Sequence, residues 1–229
     1  MVKMIKQYNA YTSRKVFSAA YILYPFVVLA IYFFLAFAFK NSGSLVSMLS
    51  FASMLTLIYT LIVICISDRY CIGTIMVNNA QINEMSKTSP TGKKMVLNVV
   101  KWDIFQRLIL IAVIYTGMFI PRAIMFEKNV LAFFLMSILG IVSVHMTTSL
   151  LCWVCRKIEN TTISTLLYSF GFIWLLPTMI MSVFPFEEVP VFVIAATIMV
   201  SLIVDVIINV IGVILMKNFI NKEWYNDRN

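Results

Sequence analysis

Runs of about twenty apolar residues recur along this chain, and nothing constrains its fold more, because a helix of that length crosses the hydrocarbon core of a bilayer. Six such blocks stand out, at 17–39, 45–66, 104–120, 130–155, 162–184 and 189–216. None alternates with a period of two, which sets aside a membrane β-barrel. Backbone groups cannot stay unpaired in lipid, which leaves helices. With 61% hydrophobic and 12% charged residues, the composition excludes a soluble globular domain, where charge runs near ~25%. The first block is too long for the apolar core of a signal peptide and lacks a small-residue cleavage site, so it is expected to be retained. The expectation is an all-α polytopic membrane protein with six transmembrane helices in a single domain, 1–229. No internal repeat, low-complexity tract or linker divides it.

The basic residues set the orientation. With both termini cytoplasmic, fifteen of the eighteen Lys and Arg fall on the inner side, against Lys40, Arg122 and Lys128 outside. The net charge of +8 is then a topology signal. Attraction to anionic membrane lipid follows from it, and it calls for no nucleic-acid partner. The outer segments 40–44, 121–129 and 185–188 are too short to form an extracellular domain. Function is therefore expected within the bundle or on its cytoplasmic face, in a multi-pass protein of the cell membrane.

One polar stretch, 67–103, interrupts the apolar pattern at length. Within it, 78–87 is polar with Ile82 and Met85 as apolar anchors, which suits a short surface helix. Ser89 can cap a further helix with Pro90 at its first position, where a missing N–H costs nothing. Met95, Val96, Val99, Val100 and Ile104 follow and lead into the third span. At the N-terminus, Met1, Met4, Ile5, Tyr8 and Tyr11 recur at helical spacing opposite Lys3, Lys6 and Arg14. An amphipathic helix over 1–15, lying on the inner membrane surface, is expected.

Arg69-Tyr70-Cys71-Ile72-Gly73-Thr74, followed by Met85-Ser86-Lys87-Thr88-Ser89-Pro90-Thr91-Gly92-Lys93-Lys94-Met95-Val96-Leu97, resembles the loop between helices two and three of type-2 ABC transporter permeases. The six-span layout and the amphipathic N-terminal helix are also similar. Here Asp68 stands for the acidic residue flanking the Arg, and Ser89-Pro90 replaces the commoner Leu-Pro turn. The resemblance implies half of an ATP-driven exporter. Two ABC ATPase subunits and a second permease copy or a paralogue would complete it. It implies a coupling helix carrying Asn78, Gln81, Ile82, Glu84, Met85 and Lys87, which seats on the ATPase. It also implies a connector helix carrying Met4, Ile5, Tyr8 and Tyr11. The small size and short outer loops look like permeases that export, or confer immunity to, membrane-active peptides. ATP and magnesium are expected on the partner ATPase, with no cofactor in this chain. Independently, Gly92-Lys93-Lys94 lacks both the earlier glycine and the following hydroxyl of a phosphate loop, so a non-catalytic subunit is expected.

Polar residues inside the spans are the other candidates. Ser201, Asp205, Asn209 and Gly212 share one face of the last helix. His145, the single histidine, lies at a matching depth on the fourth block. A His145–Asp205 contact reads either as interhelical packing or as part of a substrate pathway, and a proton relay is a third reading. Cys152 and Cys155 have Cys-x-x-Cys spacing, but buried packing is the simpler reading and no metal site is expected. Gly117, Gly140 and Gly171 invite close helix approach, and Pro25, Pro177 and Pro185 invite kinks or ends. Trp102, Trp153 and Trp224 stand where interfacial anchors are expected. Two other functions compete with transport. One is a non-transporting scaffold or immunity protein that binds a toxin directly. The other is an intramembrane enzyme, for which a single His and a single intramembrane Asp make a thin constellation.

Overall fold

A computed structural model describes residues 14–40, 45–68, 89–125, 130–156, 163 and 190–223. The first rod comprises α1 (Arg14–Ser18), a π-helical turn at Ala19–Leu23 and α2 (Tyr24–Ala38). Pro25 has no N–H to offer the preceding turn, and the wider π turn falls where that hydrogen bond is missing. Then come α3 (Leu45–Asp68), α4 (Gly92–Met125), α5 (Val130–Cys155) and α6 (Val191–Glu223).

Among the described residues, five helices are long and apolar enough to cross a membrane. The chain is thus an all-α polytopic membrane protein, and where six spans were expected the described residues hold five. The remaining expected block, 162–184, contains Gly171 and Pro177. Apart from Ile163, it lies outside the described residues.

Two helices outrun their blocks. α4 continues through Pro121, where a loop was expected, and ends at Met125. Pro121 removes one hydrogen bond near the helix end, and Arg122 offsets the loss. Its guanidinium donates to Ser53 Oγ at 2.6 Å and to the Leu49 carbonyl at 3.4 Å, and lies over the Phe133 ring. Arg122 is therefore tied to α3, not a free loop cation. At the other end, the Thr91 and Gly92 N–H groups turn back onto Ser89 Oγ and its carbonyl, and the helix itself begins at Gly92, two residues after the Pro90 expected at its first position. With 34 residues, α4 is about 50 Å long, more than the ~30 Å of a hydrocarbon core. α6 likewise runs to Glu223, past the expected end at 216.

α5 is the central helix, with 67% of its apolar window buried against 11% for α6. The main core joins α2, α3, α4 and α5 through Tyr32, Leu49, Leu61, Ile64, Ile111, Ile114, Val144 and Cys152. A second core gathers Val99, Val100 and Trp102 of α4, Trp153 of α5, and Met216 and Ile220 of α6, with Val16 and Phe17 against them. A third joins Leu139 to Ile194 and Ile198. Leu139 meets the start of α6 and Trp153 its later half, so α5 and α6 run parallel, and Cys155 and Val191 lie at opposite ends of the bundle. Lys15, Lys93, Lys94, Lys101, Arg156 and Lys217 gather at one end, against Lys40 and Arg122 at the other.

Glycines mark the closest approaches. Leu29 of α2 fills the place of a side chain at Gly117, and Tyr115 does so at Gly140. The Trp153 indole lies directly on Gly212. Trp102 and Trp153 are thus interior packing residues, not lipid-facing anchors. Gly171, Pro177, Pro185 and Trp224 lie outside the described residues.

Candidate functional site

Where α3 ends and α5 ends, charged residues turn inward. Asp68 is the last residue of α3 and Arg156 directly follows α5. Arg156 Nε donates to Asp68 Oδ1 at 3.1 Å and Oδ2 at 3.3 Å, and its Nη2 donates to Asp68 as well. The same Nη2 donates to Asp103 Oδ2 of α4 at 2.6 Å. One guanidinium therefore bridges two carboxylates from two other helices, a geometry suited to its planar fork. The Trp153 ring lies 4.9 Å from the guanidinium carbon and adds a cation–π contact.

Asp103 is shared. Arg107, one turn further along α4, places Nε 3.1 Å from Asp103 Oδ2 and donates from Nη1 to the Thr148 carbonyl of α5 at 3.2 Å. All four side chains are buried. Among the described residues, two cations and two anions balance in the cluster, the condition under which buried ions are tolerated. Burial works against the Arg156 charge, but Asp68 and Asp103 outweigh it and hold the guanidinium well above its ordinary range. Arg156 is therefore a permanent cation, and the cluster is a fixed clamp on three helices.

Deeper in the bundle, His145 of α5 meets Asp205 of α6. Nδ1 lies 2.8 Å from Asp205 Oδ2 and 3.0 Å from Oδ1, while Nε2 lies 3.1 Å from the Ile104 carbonyl of α4. Asn209 Nδ2 donates to Asp205 Oδ1 and to the Asp205 carbonyl, both at 3.0 Å. Ser201 is half-buried one turn before Asp205. Thr148 Oγ1 donates to the Val144 and His145 carbonyls, which places its hydroxyl on the α5 segment between the two clusters. Residues 103 and 104 of α4 serve one cluster each. Together the clusters form a polar spine through α3, α4, α5 and α6.

The structure thus brings His145, Asp205 and Asn209 together, with Ser201 on the same helix. The residues implied for coupling, Asn78, Gln81, Ile82, Glu84, Met85 and Lys87, lie outside the described residues, as do Met4, Ile5, Tyr8 and Tyr11. Cys65, Cys152 and Cys155 are buried, and no group of side chains suited to a metal occurs among the described residues. Sequence reasoning missed the clamp because it counted Arg107 and Arg156 only as inner-side cations. A signal was present: Arg107 sits inside an apolar block, with Asp103 four residues before it on the same helix face.

No family model, curated protein or solved structure matches the chain.

Proposed function

We propose that this polytopic membrane protein is the membrane-spanning subunit of an ATP-driven exporter. It forms half of a pathway for a hydrophobic or amphipathic cargo such as a membrane-active peptide. A second copy or a paralogue supplies the other half, and two cytoplasmic ABC ATPases supply the energy. The observation that carries this reading is the clamp of Asp68, Asp103, Arg107 and Arg156. Asp68 ends α3 and Asp103 lies three turns into α4, the two helices that flank residues 69–88. A push on that segment would reach the bundle through two helices that Arg156 ties to α5.

The charge distribution supports a cytoplasmic assignment for the clamped end, since described Lys and Arg residues concentrate there. The first turns of α4, with Lys93 and Lys94, extend the helix beyond the length a bilayer needs and offer basic residues to a soluble partner. Exposed apolar side chains on α2 and α6, among them Phe26, Phe34, Ile203 and Ile207, suit contact with lipid, a second subunit or a lipid-like cargo.

Affinity purification of the tagged chain from its native membranes in mild detergent tests the proposal. A soluble ATPase should co-purify, and a variant with Lys87, Lys93 and Lys94 changed to Glu should lose it while keeping its thermal stability. Recovery of the chain without an ATPase would sink the transporter reading in favour of a scaffold or direct-binding immunity protein.

A further inference from the structure

We infer that His145 and Asp205 form a proton-binding site inside the membrane, holding two protons between them at neutral pH. The inference stands apart from the transporter reading and rests on what each atom faces. His145 Nε2 lies 3.1 Å from the Ile104 carbonyl oxygen, which only accepts, so Nε2 carries a proton. Nδ1 faces both oxygens of the Asp205 carboxyl group at 2.8 and 3.0 Å. With Nε2 protonated, a bare Nδ1 against an ionised carboxylate would oppose lone pairs at hydrogen-bond distance. A second proton must therefore sit between them, either on Nδ1 as imidazolium or on the carboxyl group. Both arrangements give a neutral pair.

The surroundings favour that neutrality. From α6, Asn209 donates to Asp205 without a charge. From α4, the charged neighbours are Arg107 and Asp103, and from α5, Arg156; Asp68 of α3 completes the set, and its two cations and two anions already balance. The remaining titratable groups nearby, the thiols of Cys65 and Cys152, are buried in the adjoining core. Among the described residues no surplus cation is left to compensate an ionised Asp205 beside a neutral imidazole, and a lone buried charge is costly.

Loss of the second proton has two structural forms. If Nδ1 keeps its proton for the carboxylate, Nε2 is bare and loses the Ile104 carbonyl, so α5 and α4 part at that point. If Nε2 keeps its proton, Nδ1 and Asp205 repel, so α5 and α6 part. Either way, proton release loosens a helix contact next to the clamp. The proton is the ligand, and the packing of three helices reports its presence.

Because His145 is the single histidine, selective ¹⁵N-histidine labelling of the full chain gives one ring to read. At pH 7.5 in lipid nanodiscs, both ring nitrogens should carry protons. Alternatively Nε2 alone should, together with a protonated-carboxyl infrared band that Asp205→Asn abolishes. A bare Nε2, or a bare Nδ1 with no such band, overturns the inference.

Discussion

At the scale of single residues, Arg156 is the side chain whose loss should be felt most. It touches both Asp68 and Asp103, and all three groups are buried. Arg156→Ala leaves two carboxylates facing each other with Arg107 on Asp103. Removing one partner of a buried ion pair costs roughly 3–5 kcal/mol. A lower thermal midpoint in detergent is expected, with Arg156→Lys recovering only part of it, because an ammonium cannot span both carboxylates as the fork does. A midpoint for Arg156→Ala equal to that of the unaltered chain would remove the clamp from the account. The sequence revealed some of these residues and concealed others for a physical reason. Asp205 and His145 were legible because a polar residue deep in an apolar run is expensive and must find a partner. Asp68, Asp103 and Arg156 were not, because a charge at the end of a span is ordinary and points equally well to water. Their pairing joins residues 88 and 53 positions apart, which no local pattern encodes.

At the scale of helices, α6 touches the bundle along one narrow stripe: Ile194, Ile198, Asp205, Gly212, Met216 and Ile220 are buried while most positions between them are exposed. The Trp153 ring occupies the space that a side chain at Gly212 would need. Gly212→Ala therefore forces the indole or α6 to move, and such overpacking costs roughly 1–3 kcal/mol. Trp153→Phe in the same chain should relieve part of the loss. If Gly212→Ala alone left the thermal midpoint unchanged, the α5–α6 contact would not be as tight as the structure has it. The bounds of α5 coincide with its apolar block, and its polar residues Ser143, His145, Thr147, Thr148 and Ser149 are buried within the bundle. Block counting failed for α4 at Pro121, because the Arg122 contact with Ser53 continues a helix that composition alone would end. Of the six blocks it counted, five correspond to apolar helices among the described residues, and 162–184 lies outside them apart from Ile163.

At the scale of the whole molecule, the bundle is electrically polarised, with most described cations at the clamped end and Lys40 and Arg122 at the other. The positive-inside rule leads us to expect the clamped end on the cytoplasmic side, and the parallel run of α5 and α6 ties that expectation to positions that can be probed. Lys40 follows α2 at the sparsely charged end, and Lys217 lies in the last turns of α6 near Met216, which packs against the start of α4. Single cysteines at these positions, in a chain with Cys65, Cys71, Cys152 and Cys155 replaced by Ala, should label differently in intact cells. A membrane-impermeant maleimide should reach Lys40→Cys directly and Lys217→Cys only after the membrane is opened. Labelling of both from outside would break the shared end assigned to α4, α5 and α6. Labelling in the reverse order would turn the molecule over, place the clamp on the outer face, and remove the physical basis for an ATPase docking beside it.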